Sequence, residues 1–221
     1  MSADSKKRLA ILISGRGSNM QAFIQACARQ QMNAVIAVVI SNNPDAPGLE
    51  HAQAAGIATR AVDHRTFATR EDFDAALVSC VQEYSVDLVI LAGFMRILTP
   101  TFISPYAGKL LNIHPSLLPA YPGLNTHQRA LEAGDSEAGV TVHFVTPELD
   151  GGPPILQARV PIEPGDTPDT LAARVILREH SIYPVAAGWF VDGRLKLRNG
   201  KAWLDGEALG PSGLDYDSCT H

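Results

Sequence analysis

Three side chains in this sequence could handle a proton together. Asn112 and His114 stand two apart in the run Leu110-Leu111-Asn112-Ile113-His114, and Asp150 follows in Leu149-Asp150-Gly151-Gly152-Pro153-Pro154. If the run is a strand, a spacing of two puts the amide and the imidazole on one face, and Pro115 stops the strand directly afterwards. An amide donor beside an imidazole suits an oxyanion or a proton in transit. The plainer reading is also open, because a lone buried histidine is more often structural and an Asp-Gly pair is ordinary turn chemistry. Asp150 matters to the chemistry only if its turn folds back onto His114, where it would orient the imidazole.

A second candidate is Gly15-Arg16-Gly17-Ser18-Asn19, between an apolar run and a helical pattern. Open α/β sheets bind anions there, since backbone N–H groups and the helix dipole face the ligand. Met20 stands where a third dinucleotide-motif glycine would fall, and no P-loop pattern exists. A phosphate monoester cradle and a tight turn with Ser18 as N-cap both remain open. The segment Met95-Arg96-Ile97-Leu98 follows a strand at its carboxyl end, a usual crevice position, although its apolar residues suit a core equally well. Arg70 reads as a solvated helix start, Arg178-Glu179-His180 as a charged helix face, and His127 and His143 lack ligand spacing to one another. No Gly-x-Ser-x-Gly elbow supports a covalent serine.

These residues need elements to hold them. Apolar runs at Arg8–Ser14, Ala34–Ile40, Ile57–Val62, Val86–Ala92 and Lys109–Ile113 predict strands. Between them, Ser18–Gln30 (Met20, Phe23, Ile24 and Cys27 on one face), Gly48–Ala55 and Arg70–Tyr84 predict helices, and Phe94–Pro105 is short and proline-bounded. Continuous apolar strands separated by helices imply a parallel sheet covered on both faces. Further on, Tyr121–Ala133 predicts a helix, and Val140–Val145 alternates like a strand with one solvated or ligand-facing side. Ile155–Ile162 is its antiparallel mate across the Asp-Gly-Gly-Pro turn. Thr170–Phe190 predicts a long helix that Pro184 bends or splits, and Arg194–Asp205 a hairpin. The predicted fold is α/β and Rossmann-like: a mostly parallel central sheet with helices on both faces and an antiparallel C-terminal extension.

Composition narrows the function classes. A chain of 221 residues should bury roughly 70% of its unfolded surface, so it needs no staples. A net charge of −5 argues against non-specific nucleic-acid binding, which needs a basic face. Cys27, Cys80 and Cys219 are far apart and odd in number, so neither a disulfide framework nor a zinc site is expected and the reduced thiols point to the cytoplasm. The apolar run near the N-terminus is too short for a signal sequence, and none approaches a membrane span.

Taken together, "LISGRGSNMQAFI", "LAGFMRIL", "NIHPSLLPAYPGLNTHQRALEAG", "GVTVHFVTPELDGGPPILQ" and "EHSIYP" resemble the phosphoribosylglycinamide formyltransferases, in order and from about Leu9 to Leu204. The resemblance implies formyl transfer from 10-formyltetrahydrofolate, a co-substrate, to the amine of glycinamide ribonucleotide in purine synthesis, with no metal. It implies a catalytic trio of Asn112, His114 and Asp150. It implies a ribonucleotide site at Gly17, Ser18, Asn19 and Glu179, and folate contacts at Arg70, Met95, Arg96, Ile97, Leu98, Asn112, Thr146, Pro147, Glu148, Leu149 and Asp150. The doubled Pro153-Pro154 departs from the family's usual Gly-Gly-Pro-aliphatic ending. One formyltransferase domain over 1–221 is expected, with a ribonucleotide-phosphate half at about 8–108, a folate and catalytic half at about 109–205 and a mobile tail at about 206–221. A homodimer is compatible with this; a membrane or nucleic-acid partner is not expected. Two relatives share the trio. A 10-formyltetrahydrofolate hydrolase would carry an N-terminal regulatory domain, for which the stretch before Arg8 leaves no room, and a methionyl-tRNA formyltransferase a C-terminal RNA-binding domain. A silent folate- or nucleotide-binding module is the rival from another class.

Overall fold

The computed structural model describes residues 6–219, in two compact units divided between Leu111 and Asn112. The first unit runs β1 (Lys7–Ile13), α1 (Ser18–Ala28), β2 (Ala34–Ser41), α2 (Pro47–Ala54), β3 (Thr59–Ala61), α3 (Arg70–Gln82), β4 (Leu88–Leu91) and α4 (Pro100–Ile103), then enters β5 (Leu110–His114), inside which the division falls. Its strands lie in the order β3-β2-β1-β4, and β1 pairs in parallel with β2 and β4, as β2 does with β3. Leu9 to Ile13 and the whole of β4 are buried, as strands covered on both faces must be. The predicted strand at Ile57–Val62 shortens to the three residues of β3, at the edge of this order, where only one neighbour holds it.

The second unit continues with α5 (Thr126–Ala133), β6 (Glu137–Phe144), β7 (Pro154–Pro161), α6 (Pro168–Val191), β8 (Leu195–Arg198), β9 (Lys201–Leu204), β10 (Glu207–Ala208), β11 (Leu214–Asp215) and α7 (Tyr216–Cys219). The order here is β5-β6-β7-β11, with β6 and β7 antiparallel as the turn chemistry predicts and β11 parallel to β7. The hairpin expected at Arg194–Asp205 forms as β8 and β9, and β10 extends it to a separate three-stranded antiparallel sheet. The central sheet is thus mostly parallel with helices about it, and the chain adds a small antiparallel sheet near its end.

Two expectations change, and two further stretches take definite form. The helix predicted from Tyr121 starts only at Thr126, because Tyr121, Gly123 and Asn125 hold φ of 54°, 81° and 58°, which no right-handed helix accepts. β6 has no solvated or ligand-facing side: every residue after Glu137 is buried, and its polar side chains find partners inside the fold. α6 is a single element through Pro184. The buried Ile182, Tyr183, Ala186 and Ala187 around the proline offset its missing N–H, while Thr167 and Thr170 cap the start reciprocally. Within the predicted tail at 206–221, Leu214 and Asp215 pair with Leu156 and Gln157, and Asp215 and Asp217 accept ion pairs from Arg159 and Arg178; residues 220–221 lie outside the described ones. No helix among the described residues is long and apolar enough to cross a membrane.

One close approach shapes the glycine loop. Gly48, in the first turn of α2, donates its N–H to the Gly15 carbonyl at 3.0 Å. A Cβ there would come within 2.8 Å of that oxygen and 2.5 Å of Ile13 Cδ1. Gly48→Ala is therefore expected to destabilise the protein by about 1–3 kcal/mol, read as a lower urea midpoint at unchanged slope; an unaltered midpoint would show that the loop can yield freely.

Candidate active site

β5 offers one incompletely buried position among five, Asn112, followed two residues later by His114 on the same face. Next to β5 in the sheet order, β6 carries His143. Burial holds the His143 imidazole down at about 4, against an ordinary value of 6.5 and despite the Phe144 carbonyl that favours its charged form. At neutral pH it therefore holds one proton, on Nδ1, which is donated to the Phe144 carbonyl at 2.9 Å. The free lone pair on Nε2 faces Asn112 Nδ2 at 3.1 Å. Only the NH₂ end of an amide can donate to it, so His143 decides which way Asn112 points and leaves one amide hydrogen for a ligand. Nε2 also approaches Asp150 Oδ1 to 3.9 Å, but a neutral imidazole makes no ion pair.

His114 is set differently. Its Nε2 lies 2.9 Å from the Tyr121 carbonyl, which can only accept, so that nitrogen carries a proton. Nδ1 turns the other way and meets Asp150 Oδ2 at 3.4 Å. The same carboxylate oxygen accepts the Gly123 N–H at 2.9 Å. Asn112, His114, His143 and Asp150 thus form one cluster, within which both histidines are buried and Asn112 and Asp150 are half-buried.

The turn that returns Asp150 depends on a glycine. A Cβ on Gly152 would fall 1.8 Å from the Phe144 carbonyl oxygen, the acceptor of the His143 proton. Asp150 itself holds φ 50°, a left-handed conformation that Asp tolerates better than most residues. The strand-pairing irregularity between Val142 and His143 lies at this same end of β6.

The remaining sequence-predicted residues divide between the units. In the first, Gly17 is the N-cap of α1 in the left-handed region at φ 69°, and Ser18 is the first helical residue; Ser18 as N-cap does not hold, since no side chain caps this helix. No acidic residue lies in its first turn to oppose an anion. Asn19 is buried on the same turn. Ser14, just before the loop, donates its N–H to the Gly93 carbonyl and accepts the Met95 N–H on Oγ at 2.7 Å. At the other end of that segment, Asp74 Oδ2 accepts both the N–H and the hydroxyl of Thr99. Between these anchors Met95 and Ile97 are 67% and 54% exposed while Arg96 is half-buried. Leu98 is 7% exposed, its side chain packed in the core. Arg70 opens α3 on an exposed turn.

In the second unit, Thr146 is half-buried, Pro147 and Glu148 are exposed and Leu149 is 54% exposed, on the strand connection that ends in Asp150. Glu179 lies half-buried on α6. Among the described residues no group of three or more His, Cys, Asp or Glu could hold a metal ion. Sequence reasoning set His143 aside for want of ligand spacing, and it missed the Tyr121 carbonyl altogether. The alternation in Val140-Thr141-Val142-His143 was the available signal: it marks polar side chains sharing a face of a strand otherwise built for the core.

Residues 7–187 match the formyl transferase family. The chain is 55% identical to a phosphoribosylglycinamide formyltransferase of Escherichia coli K12, covering 95% of this chain and 99% of that one. It is 47% identical to the human trifunctional purine biosynthetic protein adenosine-3, covering 91% of this chain and 20% of that protein. A solved phosphoribosylglycinamide formyltransferase from Coxiella burnetii superposes with a TM-score of 0.91 at 49% identity, over 95% of this chain and 99% of that one.

Neutral His143 has a cost in acid. Between its unfolded value near 6.5 and about 4, the unfolded chain binds a proton that the folded chain does not, so stability rises with pH across that window and is lost on acidification. The loss is expected to reach about 3 kcal/mol, on the order of 1.4 kcal/mol per pH unit. Urea unfolding at pH 7 and pH 4.5 should show His143→Gln losing less on acidification than the parent. Equal losses would mean that another group dominates acid unfolding.

Proposed function

The chain belongs to the formyl transferase family, and from that membership we propose that it moves a formyl group from 10-formyltetrahydrofolate to the amine of 5′-phosphoribosylglycinamide in de novo purine synthesis, by direct amine attack through a tetrahedral intermediate. The observation that carries the reading is the approach of Asp150 to His114 beside Asn112, three side chains brought together from β5 and a distant turn. Nearly complete coverage by relatives of that name supports the same substrates.

The donor supplies an activated formyl carbon bonded to a nitrogen that can leave. Attack by the ribonucleotide amine forms a new C–N bond, places negative charge on the formyl oxygen and positive charge on the attacking nitrogen. Asn112, its orientation held by His143, keeps one amide hydrogen for that oxygen. Protonated His114 can add a second donor through Nδ1, since Nε2 is committed to Tyr121. The C–N bond to the folate then breaks, and one proton passes from the attacking nitrogen to the leaving nitrogen, carried by His114 or by a water held on Asp150. The balance needs no metal and no covalent enzyme intermediate.

We assign the ribonucleotide phosphate to Gly17, Ser18 and Asn19, whose helix start lacks a side-chain cap, with Glu179 on the substrate side. The folate is assigned to Met95, Arg96, Ile97 and Leu98, to Asn112, to Thr146 through Asp150, and to Arg70 near its carboxylate end; the uncovered side chains of Met95 and Ile97 suit a flat ring. Leu98 supports that segment from the core. The net charge of −5 favours small-molecule over nucleic-acid partners, and the dispersed cysteines favour the cytoplasm.

Asn112→Ala and His114→Ala are each expected to raise the barrier by about 2.7–4 kcal/mol while the fold survives; near-normal turnover in both purified variants would sink the assignment. A spectroscopic assay with a 10-formylfolate donor, run with and without the ribonucleotide, separates the reactions. Loss of formyl only with the ribonucleotide is expected. Loss without it would mean a hydrolase, and binding with no loss at all a silent module.

A further inference from the structure

We propose that Thr141 and Gln157 are positioning residues for His114: they clamp the segment 115–121 so that the Tyr121 carbonyl holds the proton of His114 on Nε2. The inference rests on the catalytic reading of His114 given above, and adds residues that touch no reacting atom.

Thr141 and Gln157 face each other across β6 and β7 and are both buried. The Thr141 hydroxyl donates to the Ser116 carbonyl at 2.7 Å, accepts the Leu118 N–H at 3.0 Å and accepts Gln157 Nε2 at 3.0 Å. That is one donor and two acceptors, the whole capacity of a hydroxyl. Gln157 spends its second amide hydrogen on the Leu118 carbonyl at 2.7 Å. Every bond that leaves the pair therefore lands on the segment after His114. A buried network used this fully has few alternative arrangements, because any slip strands a donor or an acceptor.

The clamp is relayed through the segment itself. The Ser116 hydroxyl donates to the Ala120 carbonyl at 2.6 Å, and the Ala120 N–H to the Leu117 carbonyl at 3.0 Å. Tyr121 follows at φ 54°, with its carbonyl 2.9 Å from His114 Nε2. Its ring is held separately, by the hydroxyl bond to Asp135 and by Arg129 over the ring face. A carbonyl so placed rejects the other tautomer, whose Nε2 lone pair would face oxygen. A slack segment would let His114 carry its proton on either nitrogen and turn Nδ1 away from Asp150. Thr141 thus does for His114 what His143, two residues on and on the same face of β6, does for Asn112.

Long-range ¹H–¹⁵N spectra of the histidine rings read the tautomer directly, and steady-state kinetics read its consequence. Thr141→Val keeps the shape and removes all three bonds; Gln157→Leu removes only the link to Leu118 and Thr141; Thr141→Ser restores the hydroxyl. In the first two, we expect mixed tautomers at His114, turnover about ten- to hundredfold lower, unchanged KM for both substrates and a displaced limb of the turnover pH profile, with Thr141→Ser near the parent. Should Thr141→Val not fold, Gln157→Leu against the parent decides alone. Folded variants with the parent's tautomer and turnover overturn the proposal, as does a lower melting temperature with no change in either. If the tautomer shifts but turnover survives, the positioning holds and the catalytic reading of His114 fails. If the tautomer stays while His114→Ala is inactive, that reading stands and the positioning is wrong.

Discussion

A strand buried on both faces cannot carry a polar side chain unless that group finds a partner, and β6 carries two. Thr141 and His143 are each almost inaccessible, each sits on the same face, and each meets its need on a neighbouring segment. Those neighbours are the amide of Asn112 and the backbone that follows His114. Satisfying β6 and holding Asn112 and the segment after His114 are one requirement. The Asp150 turn is drawn into it as well, since Gly152 packs against the carbonyl that takes the His143 proton.

The two histidines of the cluster differ because their surroundings differ. His143 lies 2% exposed, and burial keeps it neutral, so it offers a lone pair where Asn112 needs an acceptor. A charged His143 would present a hydrogen instead and push the amide's NH₂ end away. His114 has the Tyr121 carbonyl on one nitrogen and the Asp150 carboxylate on the other. Two imidazoles of identical intrinsic chemistry are thus given different hydrogen-bond partners by what faces them.

The first unit shows the same economy at a helix start. Gly17 takes the left-handed conformation that would otherwise strain a side chain, no side chain caps α1, and Gly48 lets α2 close against the loop. Ser14 joins that loop to the segment bearing Met95, accepting its N–H while donating to Asn42 at 2.5 Å. The exposed apolar residues of that segment are consequently held by backbone bonds at both ends, at Ser14 and at Asp74, while their side chains stay uncovered.

Much of this was legible in order along the chain. Apolar runs and helical spacings located the strands and helices of the first unit to within a few residues, because period and composition are local properties. Asn112 and His114 were legible as partners because a spacing of two on a strand admits only one face. Legibility failed where a distant partner decides. The alternation in β6 looked like a ligand-facing strand, since sequence shows polarity but not whether a carbonyl from 116 or an amide from 112 waits opposite. The start of α5 was misjudged because Tyr121 and Asn125 adopt left-handed backbone that their own identities do not demand. The sequence by itself determined the elements, the turn at Asp150 and the kinds of group available. Only the tertiary structure decided that His143 is neutral, that it turns Asn112, and that Tyr121 fixes the proton on His114. Burial and hydrogen-bond partnership arise between residues far apart in the chain, and no local pattern encodes them.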